Sequence, residues 1–155
     1  MEFDPATILP APSPGHLEAL EDYYEVQFPE DFKRFVLTQN GAIPRARRFD
    51  AAGAERLIER FLPILADAED HPLGWLELEV VASQLDSRLA DDPDGETVTL
   101  IPIAALFAGD FLVLDYRASS AEPTIGFWDH EQSEDFAPAV TTVAKTFSEL
   151  LAMLR

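Results

Sequence analysis

The side chains with the widest chemical reach in this 155-residue chain are three histidines, each set among acids. His16 stands near Glu18, His71 follows Asp67, Glu69 and Asp70, and His130 lies between Asp129 and Glu131. Imidazole and carboxylate together suit divalent ions. No His-x-x-x-His pair places two imidazoles on one helix face, however. With 29 acids in the chain, an acid beside each histidine follows from composition alone. The acidic stretch DDPDGE (91–96) invites a calcium reading, with Asp92, Asp94 and Gly95 at loop positions three, five and six of an EF-hand register. Ala90 and Ile101 then occupy the two end positions, where ligands are required, so the stretch reads as a solvated turn. Nucleophilic catalysis lacks its parts. The chain has no cysteine, no Gly-x-Ser-x-Gly elbow and no Ser-x-x-Lys. Neither a P-loop nor a Gly-x-Gly-x-x-Gly cradle is present for phosphate. No catalytic residue, cofactor or metal is expected.

Charge is the dominant compositional signal. The 29 acids face 11 Lys and Arg, for a net charge of -18. Residues 45–60 run against this trend, with five arginines and three acids, whereas residues 61–155 carry 18 acids and four bases. Such a surface repels nucleic acid and anionic lipid and attracts cationic partners. Two acidic groups are candidates for partner contact: Asp91, Asp92, Asp94 and Glu96 in one loop, and Asp129, Glu131, Glu134 and Asp135 after the last strand. In a strand, Phe127 and Trp128 point to opposite faces. One belongs to the core. Trp128, at the strand end beside Asp129, is a candidate interface anchor, and the alternative is that helices cover both faces. The first residues lack the basic and apolar regions of a signal peptide, and no stretch approaches the ~18 apolar residues of a membrane span. With no thiol chemistry to place it elsewhere, a cytoplasmic location is the expectation.

The elements that would position these groups follow from periodicity. Residues 1–15 read as a Pro-rich arm ahead of a single domain, 16–155. Leu17, Leu20 and Tyr24 form one helical stripe, and Phe32, Phe35 and Val36 a second that Pro29 opens and Asn40-Gly41 closes. In residues 54–65, Leu57, Ile58, Phe61 and Leu62 recur at helical spacing but Pro63 limits the run, so helix and strand both stay open. Leu78, Val81, Leu85 and Leu89 form a third stripe. Strand candidates are Val98–Ala104, Phe111–Tyr116 and Ile125–His130, with Gly109-Asp110 as a turn between the first two. A closing helix is expected over 141–154, with Thr141 or Thr142 as its N-cap. At 47% hydrophobic content the chain can fill a core. The order of elements argues an α+β fold, a central antiparallel sheet with packed helices.

Four segments, in order, resemble the SUKH superfamily of Smi/Knr-like proteins. They are FPEDFKRFVLTQNG (28–41), IPIAALFAGDFLVLDY (101–116), IGFWDHE (125–131) and VAKTFSELLAML (143–154). Ala42 departs from the family pattern, where a second glycine is frequent, and residues 67–96 have no counterpart. The resemblance implies a SUKH-like α+β fold without enzymatic activity. It also implies a protein partner: many bacterial members resemble immunity proteins that neutralise polymorphic toxins, often nucleases or deaminases. Fungal relatives act as regulatory adaptors, the alternative role for this chain.

Overall fold

The computed structural model describes residues 1–95 and 100–155. Six strands form one antiparallel meander in the order β1 (Arg48–Ala51), β2 (Ala54–Phe61), β3 (Leu100–Leu106), β4 (Phe111–Asp115), β5 (Thr124–Trp128) and β6 (Val140–Ala144). Four α-helices pack around it: α1 (Pro14–Tyr24), α2 (Glu30–Gln39), α3 (Leu78–Leu85) and α4 (Phe147–Met153). The expected α+β architecture is therefore present. No helix among the described residues is long and apolar enough to cross a membrane.

Each helix forms where local chemistry favours it. Ser13 caps α1 by accepting the His16 amide, and Pro14 occupies the first turn, where its missing N–H is no loss. Glu30 and Asp31 sit in the first turn of α2, against the positive end of its dipole. Residues 1–13 lie along this body. Phe3 stacks 5.4 Å from Phe35 and 6.4 Å from Phe61, the Leu9 amide donates to the Asn40 carbonyl, and Arg60 donates to the Thr7 carbonyl.

Three elements differ from the sequence expectation. Residues 54–65 resolve in favour of strand: Ala54–Phe61 is β2, paired on one side with β1 and on the other with β3. Its hairpin partner β1 was not expected. The two join through Ala52-Gly53, both at positive φ (51° and 78°), the geometry that lets a two-residue turn follow strand twist. The helix expected over 141–154 is shorter and starts later. Val140, Thr141, Thr142 and Val143 are β-branched and favour an extended chain, and they complete the hydrogen bonding of β5 as β6. Thr146, not Thr141 or Thr142, caps α4 by accepting the Glu149 amide at 3.1 Å. Asp31 then ties the two helix starts together by accepting from the Ser148 amide and hydroxyl, each at 2.9 Å. Of the strand candidate Val98–Ala104, Val98 and Thr99 lie outside the described residues; the strand itself begins at Leu100 and runs to Leu106.

The sheet is covered on both faces. Leu112 and Leu114 join the large core with α1, α2 and α4, while Val113 belongs to a second cluster with Ala82, Leu89, Leu100 and Trp128. This is the strand alternation expected for β4. Phe147 anchors the large core, its ring 5.4, 5.0 and 5.9 Å from those of Phe32, Phe35 and Phe61. Phe147→Ala is expected to cost about 3–5 kcal/mol in chemical denaturation, the range for a buried phenylalanine; a loss below about 1 kcal/mol would place the α4 stripe at the surface.

Glu77 generates a second prediction. It is buried and caps α3, with Oε2 accepting the Glu79 and Val80 amides, while its buried Oε1 has no hydrogen-bond partner among the described residues. Burial raises its pKa above the usual carboxylate range, against the opposing pull of those amides. A raised folded-state pKa means that the native state holds this proton more tightly than the unfolded chain. Its contribution to stability is fully present below the unfolded pKa, ~4.3, and is lost as pH rises through the folded value. Glu77→Gln keeps the cap and removes the titration. The stability of the variant relative to wild type should rise between pH 4 and pH 7 in denaturation series; a fall over that interval would contradict the assignment.

Candidate binding surface

All six strands end or begin at one rim of the sheet, which carries the β1–β2 turn, the β3–β4 turn and the long β5–β6 loop. The β3–β4 turn is Phe107–Ala108–Gly109. Ala108 and Gly109 both take positive φ, at 73° and 93°, and the Leu106 amide closes the turn on the Asp110 carbonyl. Gly109 thus fills the turn role expected of it. Asp110 acts at longer range. It is buried, and its Oδ1 accepts the His130 amide at 3.0 Å and lies 2.7 Å from His130 Nδ1. The bond links the β3–β4 turn to the β5–β6 loop. Gly109 faces the His130 ring, which a Cβ there would meet at 3.6 Å, an ordinary van der Waals contact. On the other side of the carboxylate, the Arg56 guanidinium stands 4.0 Å from Oδ2 and 4.3 Å above the Phe127 ring.

The β5–β6 loop holds itself with its own polar groups. Asp129 Oδ1 accepts the Glu131 and Gln132 amides at 2.9 and 3.1 Å, and the Ser133 hydroxyl accepts the Ala139 amide. The loop is also fastened to the turn that follows α3, residues 86–89. Asp135 accepts from the Ser87 hydroxyl at 2.7 Å, the Phe136 amide donates to the Ser87 carbonyl, and Arg88 donates to the His130 carbonyl.

These contacts decide what each sequence candidate does. Glu131, Glu134 and Asp135 are exposed, whereas Asp129 is half-buried and spent on loop closure. Asp91, Asp92 and Asp94 are exposed on the segment that follows the 86–89 turn and leads toward β3. Asp91 also lies within electrostatic reach of Arg117. That guanidinium is held above its usual pKa first by its hydrogen bond to Asp115, with Asp91 adding to the effect. Glu96 lies outside the described residues. Trp128 is corrected: it is 0% exposed and cannot serve as an anchor. The 86–89 turn covers its face of the sheet, its indole N–H donates to the Arg88 carbonyl at 3.0 Å, and Arg88 stacks 4.9 Å over the ring.

Asp110, Asp129 and His130 offer ligand atoms within 4.8 Å of one another, enough to consider a divalent ion. Both Oδ1 atoms already accept N–H donors, and Arg56 supplies a cation beside the buried carboxylate. The arrangement is complete as a loop lock. Two rim residues were not singled out from sequence: Phe107 and Phe136, both exposed. Their signal was a large aromatic with no periodic partner inside a turn-rich stretch.

Asp110→Ala should cost about 1–3 kcal/mol, because it strands the His130 amide and the Arg56 charge. Glu131→Ala, at the surface of the same loop, should change stability by less than about 0.5 kcal/mol. Equal effects in denaturation curves would show that the loop does not depend on the buried carboxylate.

Compared with protein families, residues 15–151 match the model described as SUKH_6, SMI1-KNR4 cell-wall. Comparisons with curated proteins and with solved structures return no match. The match spans both the α2 segment and the loops that Asp110 and His130 lock together, and on that extent the chain belongs to the SMI1-KNR4 (SUKH) family.

Proposed function

We propose that this chain is a cytoplasmic, non-enzymatic immunity-type protein that neutralises a cationic toxin domain by occluding it. The observation that carries the reading is the sheet rim, where Glu131, Glu134 and Asp135 are exposed, in a chain of net charge -18; Asp91, Asp92 and Asp94 add exposed acids on the segment after the 86–89 turn. Membership of a family that is in general non-enzymatic supports a protein partner. A toxin that acts on nucleic acid needs a basic cleft for its substrate, and an acidic protein rim fits that cleft electrostatically. Occlusion requires no reaction, only a stable contact that buries on the order of 1,200–2,000 Å².

The test starts with co-expression of the chain and a basic domain encoded beside it, with protection from growth arrest as the readout; affinity capture with mass spectrometry identifies the partner directly. Electrostatic attraction should act mainly on encounter. Association measured by surface plasmon resonance should slow as salt rises, since the Debye length falls from ~10 Å at 0.1 M to ~3 Å at 1 M. Neutralising Glu131, Glu134 and Asp135 together should slow it by about tenfold or more at low salt. A toxin whose association ignores both salt and these substitutions would remove the electrostatic mechanism.

A further inference from the structure

Phenylalanine is among the residues most often buried in folded proteins. The chain contains 11, and of these only Phe107, at 67%, and Phe136, at 40%, are exposed; of the other aromatics, Tyr23 in α1 and Trp75 ahead of α3 are exposed as well. Both lie at the same rim of the sheet. Phe107 is in the β3–β4 turn and Phe136 in the β5–β6 loop. These loops are neighbours because Phe111 pairs with Trp128 and Gly109 faces the His130 ring. We propose that Phe107 and Phe136 are the apolar anchors of the partner-binding surface, and that its occupant is a protein surface presenting an apolar recess ringed by Lys and Arg. This rests on the protein-partner reading above.

Charge selects the occupant. The two loops, 107–110 and 129–139, contain no Lys or Arg, and their exposed charges are Glu131, Glu134 and Asp135. The nearest described cations are committed elsewhere: Arg56 to the Phe127 ring and the Ala51 carbonyl, Arg88 to the Trp128 ring and the His130 carbonyl. A second copy of the chain meeting this rim with its own rim would oppose Glu131, Glu134 and Asp135 with the same acids. Exposed aromatics with a charged margin match the composition of protein contact sites, in which a few apolar anchors supply most of the energy and a polar rim excludes water. The Asp110–His130 bond holds the two loops in one arrangement before contact, so little ordering remains to be done on binding.

Phe136 also provides a clean variant. Its φ of 59° is a conformation that asparagine adopts more readily than phenylalanine. Phe107→Ser with Phe136→Asn should therefore leave the thermal midpoint unchanged or raised while removing both rings. The full-length chain, immobilised, is used to select from a phage-displayed library of random peptides. Enriched peptides should join aromatic or aliphatic residues to Lys or Arg, and the double variant should bind them about tenfold more weakly or worse. Enrichment without that pairing, equal binding by the double variant, or a library from which nothing enriches would overturn the proposal. The toxin reading fails separately. Peptides selected and lost as expected, with no growth protection from any neighbouring basic domain, keep the surface and remove the toxin as its occupant. Full protection by the double variant keeps the immunity reading and removes the surface.

Discussion

One buried carboxylate organises the rim of the sheet that carries the β3–β4 turn and the β5–β6 loop. Asp110 lies at the junction of two loops far apart in sequence, and its Oδ1 receives both the backbone and the ring of His130. A charge can occupy so buried a position only when hydrogen bonds and an opposite charge compensate it, and here His130 and Arg56 do so. The same contact orients the β5–β6 loop. Glu131 and Glu134 therefore project from a closed frame, and Asp135 is held on Ser87. The Gly-Asp step between two apolar strands is thus a turn at Gly109 and a tether at Asp110.

Behind that rim the sheet is packed on both faces. The aromatic group of Phe32, Phe35, Phe61 and Phe147 fills one face. The smaller cluster around Trp128 closes the other. With these aromatics committed to the interior, Phe107 and Phe136 remain exposed at the rim, as Tyr23 and Trp75 do elsewhere on the chain. The proposed occlusion mechanism combines that surface with the surrounding acids.

Much of the fold was legible in the sequence because its signals were local. The stripes of α1, α2 and α3 follow helical spacing, and the β4 alternation separated Leu112 and Leu114 from Val113. Elements defined by pairing were harder to read. β6 looked helical because Val143 continues the spacing of Phe147 and Leu150, and only the open edge of β5 makes the strand the better solution. β1 is four residues long and joined by Ala-Gly rather than Asn-Gly, so its hairpin carried little turn signal. The burial of Trp128 depended on the 86–89 turn folding back over β5, a contact across 40 residues that no periodicity encodes. The same holds for the Asp110–His130 link, across 20 residues. The acidic character of the rim was legible from composition; its exposed phenylalanines were not, since exposure is a property of the assembled sheet.

The central claim is that this rim is where a protein partner is held. Hydrogen–deuterium exchange on the full chain, free and bound to the partner recovered by affinity capture, tests it most directly. Protection concentrated in residues 107–110 and 129–137, with α1 and α2 unchanged, is the predicted result. Protection confined to the helical face, with both loops exchanging as in the free protein, would contradict it.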